Sequence, residues 1–342
     1  MNRLVVLSGI TMALLITPGC NRGQNSGLTK ATPSYAFITN GVADFWKYAE
    51  AGVNQAGRDL GVNVSVITPN SITDQTRKIE DLLTRGTDGI AISPIDPDNQ
   101  VETINMAAAK TNLIAADADA PRSNRLMYIG MDNYRAGLVC GQTLRDAMPD
   151  GGTVMIFVGR LDQDNAKRRR QGFIDAMLGR KPDPDRHDPP GGELTSDDKK
   201  IIILGTMTDQ FDFAKAKANV EDTLTRYPNI AGMVGLFEYN PPMIIEALDR
   251  LGKLGKVKVM AFDENFATLQ GIKDGTIIAT VVQNPYQYGY ESIHVLNELH
   301  RGNKSVIPAN KAVEFPARLI DKSNVDEFWT KCKKLLGSSG TG

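Results

Sequence analysis

Tyr128-Ile129-Gly130-Met131-Asp132-Asn133-Tyr134-Arg135-Ala136-Gly137 is the stretch at which one series of alternating strands and helices closes and a second opens. Upstream of it, Tyr35–Thr39, Val62–Ile67, Gly89–Ile92 and Leu113–Ala116 are short apolar or β-branched runs that read as strands. Between them, Asp44–Leu60, Asp74–Thr84 and Gln100–Lys110 carry apolar residues at helical spacing, as Ile79, Leu82 and Leu83 do. Downstream the series starts again with helix Tyr134–Met148, strand Thr153–Val158, helix Asn165–Leu178, strand Ile201–Met207 and helix Asp212–Arg226. Strand Gly232–Leu236, helix Pro241–Leu251 and strand Lys258–Phe262 continue it. Strands separated by amphipathic helices form parallel sheets from βαβ units, so the expected fold is α/β, with two Rossmann-like lobes. Only residues 181–200, dense in Pro, Gly and Asp, break the pattern; they read as an exposed loop with no assigned function.

The 342 residues allow about two domains with cores of their own. Lys and Arg number 39 against 40 Asp and Glu, so no general cationic field exists to attract nucleic acid. The one dense basic run, Lys167-Arg168-Arg169-Arg170, reads as a mostly solvated face. Three cysteines, Cys20, Cys140 and Cys332, are too few and too scattered for a zinc motif or a disulfide framework, and no metal or cofactor is expected.

Residues 1–20 read as an export signal: Arg3 is followed by the apolar run Leu4–Ile16, shorter than the ~20 residues of a bilayer span. The ending Thr17-Pro18-Gly19-Cys20 resembles the lipobox of bacterial lipoproteins, which makes Cys20 the expected lipidation site. Residues 21–34 are a polar tether. The folded part is then expected outside the cytosol, in the periplasm or at the cell surface. In that compartment Cys140 and Cys332 can pair, but cysteine is among the most buried residues, and two buried thiols are the expectation.

Open α/β sheets bind ligands beyond the carboxyl ends of their strands, so polar and aromatic residues placed there are site candidates. In the first lobe these are Asn40, Phe45 and Trp46 after the first strand, and Asp117 and Asp119 after the fourth. Aromatic rings can cover the C–H face of a sugar, and carboxylates accept strong hydrogen bonds from its hydroxyls. In the second lobe the candidates are Lys167 at the start of a helix, for which Asn165 reads as the N-cap, then Phe211, Asn240, Asp263 and Gln283.

At these residues the chain resembles the periplasmic sugar-binding proteins of the ribose-binding type. The likeness runs from Tyr35 to about Leu335, on Ser93-Pro94-Ile95-Asp96-Pro97, the stretch quoted first, Asn165 to Phe173, Tyr239-Asn240-Pro241 and Ala261-Phe262-Asp263. The resemblance implies lobes hinged by three crossings, near Asp132, Gln283 and Phe315, which divides the chain into 35–131 plus 284–315 and 132–283 plus 316–336. It also implies stacking by Phe45, Trp46 and Phe211, and polar contacts from Asp117, Asn240, Asp263 and Gln283. Ribose binders carry arginine where this chain has Ala118 and, in the second-lobe helix, Lys167. Lysine lacks the planar two-pronged donor, which points away from ribose toward a hexose, deoxysugar or polyol, with Asp119 as a substitute acceptor.

The function so implied is capture of a monosaccharide or polyol by a monomeric, lipid-anchored solute-binding protein. It would deliver the sugar to an ABC permease and its ATPase, or serve as co-receptor for a chemoreceptor or sensor kinase. A carbohydrate-active enzyme is disfavoured, since His187, His294 and His300 lie far from the strand ends and no nucleophilic triad is evident.

Overall fold

The computed structural model describes Met1 and residues 31–337; the expected signal, Cys20 and most of the tether lie outside the described residues. The first lobe contains β1 (Ser34–Ile38), α1 (Phe45–Leu60), β2 (Asn63–Ile67), α2 (Ile72–Thr84), β3 (Gly89–Ile92), α3 (Val101–Ala108), β4 (Asn112–Ala116) and β5 (Tyr128–Gly130). The second contains α4 (Asn133–Asp146), β6 (Gly152–Val158), α5 (Asp164–Leu178), β7 (Leu194–Thr195), β8 (Ile201–Thr208), α6 (Phe213–Arg226) and β9 (Gly232–Gly235). It continues with α7 (Asn240–Arg250), β10 (Lys258–Phe262), α8 (Phe266–Asp274) and β11 (Ala279–Val282). The chain then returns to the first lobe for α9 (Pro285–His300) and β12 (Ala312–Glu314), and crosses back for β13 (Arg318–Asp321) and α10 (Val325–Leu335).

The first sheet has the order β12-β5-β4-β3-β1-β2 and is parallel throughout. The second, β13-β11-β10-β9-β6-β8-β7, is parallel except at its two edge strands. Parallel strands covered by helices on both faces are buried on both sides, which is why β3, β9 and β11 are apolar or small without alternation. Three passages between sheets, β5 to α4, β11 to α9 and β12 to β13, form the hinge. Asp132 terminates the first of them: its carboxylate accepts from the Arg135 N–H at 3.0 Å and caps α4.

Two expectations change. Asn165 is not the N-cap of α5; the helix begins at Asp164 with Gln163 before it, which puts Asn165 inside the first turn. Nor is 167–170 a solvated face, because Arg169 and Arg170 are buried. Arg170 donates to the Asp188 and Pro189 carbonyls at 2.8 and 2.7 Å, so α5 holds down the 181–200 loop, whose Leu194–Thr195 pairs with β8 as β7. Cys140 and Cys332 are free and buried.

Candidate ligand-binding site

The strand ends of the two lobes meet around one cavity. The first lobe lines it with Asn40 and Ala43 after β1, Phe45 and Trp46 from α1, and Asp117 after β4. The second contributes Gln163, Asn165 and Arg169 around the start of α5, Phe211 after β8, Phe237, Glu238 and Tyr239 after β9, and Asp263 after β10. Gln283, at the second crossing, completes the wall.

The same device fixes one carboxylate in each lobe. Asp117 and Asp263 both have φ of 64°, a left-handed conformation that aspartate tolerates better than most residues. Each donates its backbone N–H to a neighbouring strand, at Ile129 and Val281, over 2.9 Å. Each backbone carbonyl is in turn held by a hydroxyl, Tyr128 Oη at 2.9 Å and Thr280 Oγ1 at 2.7 Å. Such strain persists only where surrounding bonds determine it, and here it turns both side chains into the cavity.

Ser93 Oγ donates to Asp117 Oδ2 at 3.0 Å, and Gln283 Nε2 to Asp263 Oδ1 at 2.9 Å. Arg169 is 1 % exposed, and its Cζ lies over the Phe262 ring, 4.1 Å from the centroid. It donates to Asn133 Oδ1 and to the Leu236 carbonyl, with Nη1 3.7 Å from Asp263 Oδ2. Burial pushes the Asp117 carboxyl up to about 7 despite the opposing charge of Arg169. Burial also raises Asp263, and lifts Glu238 to about 7 against a hydrogen bond from Asn265.

The rings are arranged in two groups. Phe45 and Trp46 meet edge to face at 4.9 Å, while Phe211 stacks on Phe237 at 5.7 Å. Gln163 is fully buried, and both atoms of its side-chain amide lack a protein partner. A buried amide facing a cavity in this state is what a polar ligand satisfies.

Of the candidates from sequence, Asn40, Phe45, Trp46, Asp117, Phe211, Asp263 and Gln283 converge on this cavity. Three others do not. Asp119 is drawn into an ion pair with Arg125, whose Nη2 donates at 2.6 Å. Lys167 pairs with Asp98 of the first lobe at 3.2 Å. Asn240 is buried and committed: its Nδ2 donates to Asp209 Oδ2 at 2.9 Å and its Oδ1 accepts from the Phe237 N–H at 3.2 Å, which shapes the loop instead of the cavity wall.

Sequence reasoning missed Gln163, Arg169, Phe237, Glu238 and Tyr239 as lining residues, and gave Asn165 only a capping role. A signal existed for Arg169: it is four residues after Asn165, hence on the same helix face, whereas Lys167 is not. The second-lobe helix therefore does supply an arginine to the site. Among the described residues no group of three His, Cys, Asp or Glu is disposed to hold a metal ion.

The lobes touch across the cleft. Asn165 Nδ2 is 3.5 Å from Asp117 Oδ2, Lys167 reaches Asp98, and the buried Tyr48 of α1 lies beside Glu264 and Cys332 of the second lobe.

Residues 35–304 match the family model described as periplasmic binding protein domain. A ribose import binding protein of Salmonella typhimurium is 26% identical over 264 residues, covering 76% of this chain and 82% of that protein. The D-allose-binding periplasmic protein of Escherichia coli is 25% identical over 304 residues, covering 85% of this chain and 91% of that one. Among solved structures, an ABC transporter solute-binding protein from Burkholderia graminis in complex with D-arabinose superposes with a TM-score of 0.77. It is 27% identical and covers 87% of this chain and 98% of its own.

Proposed function

Because the chain belongs to the periplasmic binding protein domain family, we propose that it is the extracytoplasmic sugar-binding component of an ABC transporter. It captures a monosaccharide or related polyol between its lobes and delivers it to a membrane permease driven by an ATPase. The relatives named above for ribose, D-allose and D-arabinose support a single small sugar as the ligand. The observation that carries the reading is the pair of strained aspartates, Asp117 and Asp263, one from each lobe, turned into one cavity walled by aromatic rings.

Neither lobe alone offers a complete set of contacts, so a sugar that bridges them favours the closed form by its differential affinity for it. The closed shape is what a permease recognises. Export, lipidation at Cys20 and action as a monomer belong to the same proposal. The ligand leaves chemically unchanged; the carboxylates bind hydroxyls and break no bond.

A thermal-shift screen against pentoses, hexoses, deoxysugars and polyols tests this, since a ligand that binds only the folded state raises the melting temperature by mass action. One or a few sugars are expected to stabilise the protein and to be recovered intact by mass spectrometry. No stabilisation by any carbohydrate, or recovery of a reacted sugar, would refute it.

A further inference from the structure

Four charged residues line the cavity, and three of them are acids: Asp117, Glu238 and Asp263, against Arg169 alone; Glu238 also lines the adjoining pocket that holds Asp44, Lys47 and Asn265. All four are buried. Arg169 does not offset the three. Its Nε and Nη2 donate to Asn133 Oδ1 at 3.3 and 2.9 Å and its Nη1 to the Leu236 carbonyl at 2.7 Å, so most of its five donors serve the second lobe itself. The other cations nearby are also engaged. Lys47, whose charge reaches Glu238 from α1, is paired with Asp44 at 2.7 Å, and Lys167 is paired with Asp98.

The two aspartates form a matched pair, each with a side-chain donor already in place, Ser93 for one and Gln283 for the other. Glu238 stands outside that symmetry, holding one hydrogen bond from Asn265. Burial raises the carboxyls of Asp117, Glu238 and Asp263, and Arg169 opposes the rise at the two aspartates without cancelling it. Phe45, Trp46, Phe211 and Phe237 also line the cavity, and aromatic rings attract cations.

We propose that the ligand is a cationic sugar, a monosaccharide or polyol bearing a protonated amine, and that Glu238 is the side chain that selects it. This rests on the sugar-binding reading and narrows it. A hydroxyl brings one donor and two acceptor lone pairs, for which the wall offers the amides of Asn40, Gln163, Asn165 and Gln283, but it brings no charge. An ammonium brings three donors and no acceptor. It supplies the positive charge that three buried carboxylates and one guanidinium leave wanting. A neutral sugar leaves one of the acids to take up a proton instead.

Isothermal titration calorimetry with D-glucosamine, D-galactosamine, D-mannosamine and glucamine decides the matter. Each is set beside its hydroxyl parent, which keeps the size and loses the charge, and the three hexosamines also beside their N-acetyl derivatives, which lose the charge and gain an acetyl group. At least one amine is expected to bind tenfold or more tightly than both neutral forms. That ratio is expected to fall at least fivefold in Glu238→Gln and to survive in Glu238→Asp, which keeps the charge. The wild-type ratio stands as a test even if a variant fails to fold. Parents that bind as tightly as their amines overturn the cationic ligand and leave sugar binding intact. An undiminished ratio in Glu238→Gln overturns the role of Glu238. Silence from every amine and every neutral sugar, ribose, allose and arabinose included, overturns this inference and the reading beneath it together.

Discussion

Asp117 shows how a ligand site is maintained at the expense of the fold that carries it. Its carboxyl is buried and raised from the ordinary 3.8 to about 7. Between those values the folded protein holds a proton that the unfolded chain has released, so the contribution of Asp117 is complete below 3.8 and is lost as pH climbs through 7. Ligand-free Asp117→Asn is therefore expected to melt above wild type at pH 8, by the equivalent of a few kcal/mol at most, and to lose that advantage at pH 4. The same variant is expected to lose most sugar affinity at either pH. Thermal melts at the two pH values and a titration check it; a variant that is destabilised at pH 8 contradicts the cause assigned to the shift. Trp46 gives a second test. Trp46→Ala is expected to weaken sugar binding by about 2–4 kcal/mol, as loss of a buried aromatic anchor does, and unchanged affinity would return the ring to the core it also touches through Phe37. At this scale the sequence was legible wherever position alone decides, as for residues that directly follow a strand. Asp119 and Asn240 follow strands too, but Arg125 and Asp209 bind them, and partners six and 31 residues away leave no local trace.

Each lobe builds its half of the site on a helix that crosses another at a pair of reciprocal glycines. In the second lobe, a Cβ on Gly172 of α5 would fall on the Tyr134 carbonyl of α4, and one on Gly137 of α4 would fall on the Arg169 carbonyl of α5. In the first, Gly52 of α1 meets the Tyr286 carbonyl of α9, and Gly289 of α9 meets that of Ala49. The paired helices α1 and α5 are those that carry Phe45 and Trp46, and Asn165 and Arg169, to the cavity. Gly172→Ala must push α4 and α5 apart, at a cost of about 1–3 kcal/mol or more. Chemical denaturation is expected to show that loss, and calorimetry a weaker sugar affinity, because Arg169 moves with its helix. Loss of stability with affinity untouched would mean that the crossing does not position the site. Helix existence was plain from 3.6-residue spacing, whereas the face turned inward by Lys167-Arg168-Arg169-Arg170 was not. Four cations in a row carry no apolar period, and only packing shows that Arg169, against Asn133 and Phe262, and Arg170, against the 181–200 loop, are the buried ones.

At the scale of the molecule, two repeats of one α/β pattern give two lobes, which was readable because alternation is a long-range, redundant signal; the three crossings between them were implied by the family resemblance alone. What alternation does not encode is which residues meet when the lobes close. Lys167 is the instructive case: it stands on α5 as a neighbour of the site, yet it reaches across the cleft to Asp98, which Arg122 also holds at 2.5 Å. A contact between the lobes breaks if they part, so removing it favours an open form without touching the ligand. Both partners are partly exposed, which limits its worth to about 0–1 kcal/mol, or up to a fivefold change in an equilibrium. Lys167→Ala is expected to release sugar up to about fivefold faster, with little change in association rate and no change in the order of preference among sugars. Stopped-flow fluorescence of Trp46 in the cavity wall reads both rates. The wild-type advantage should shrink as salt is raised, since exposed charges are screened. If the order of preference changes instead, Lys167 touches the sugar, and the assignment made from its position in the sequence is the correct one.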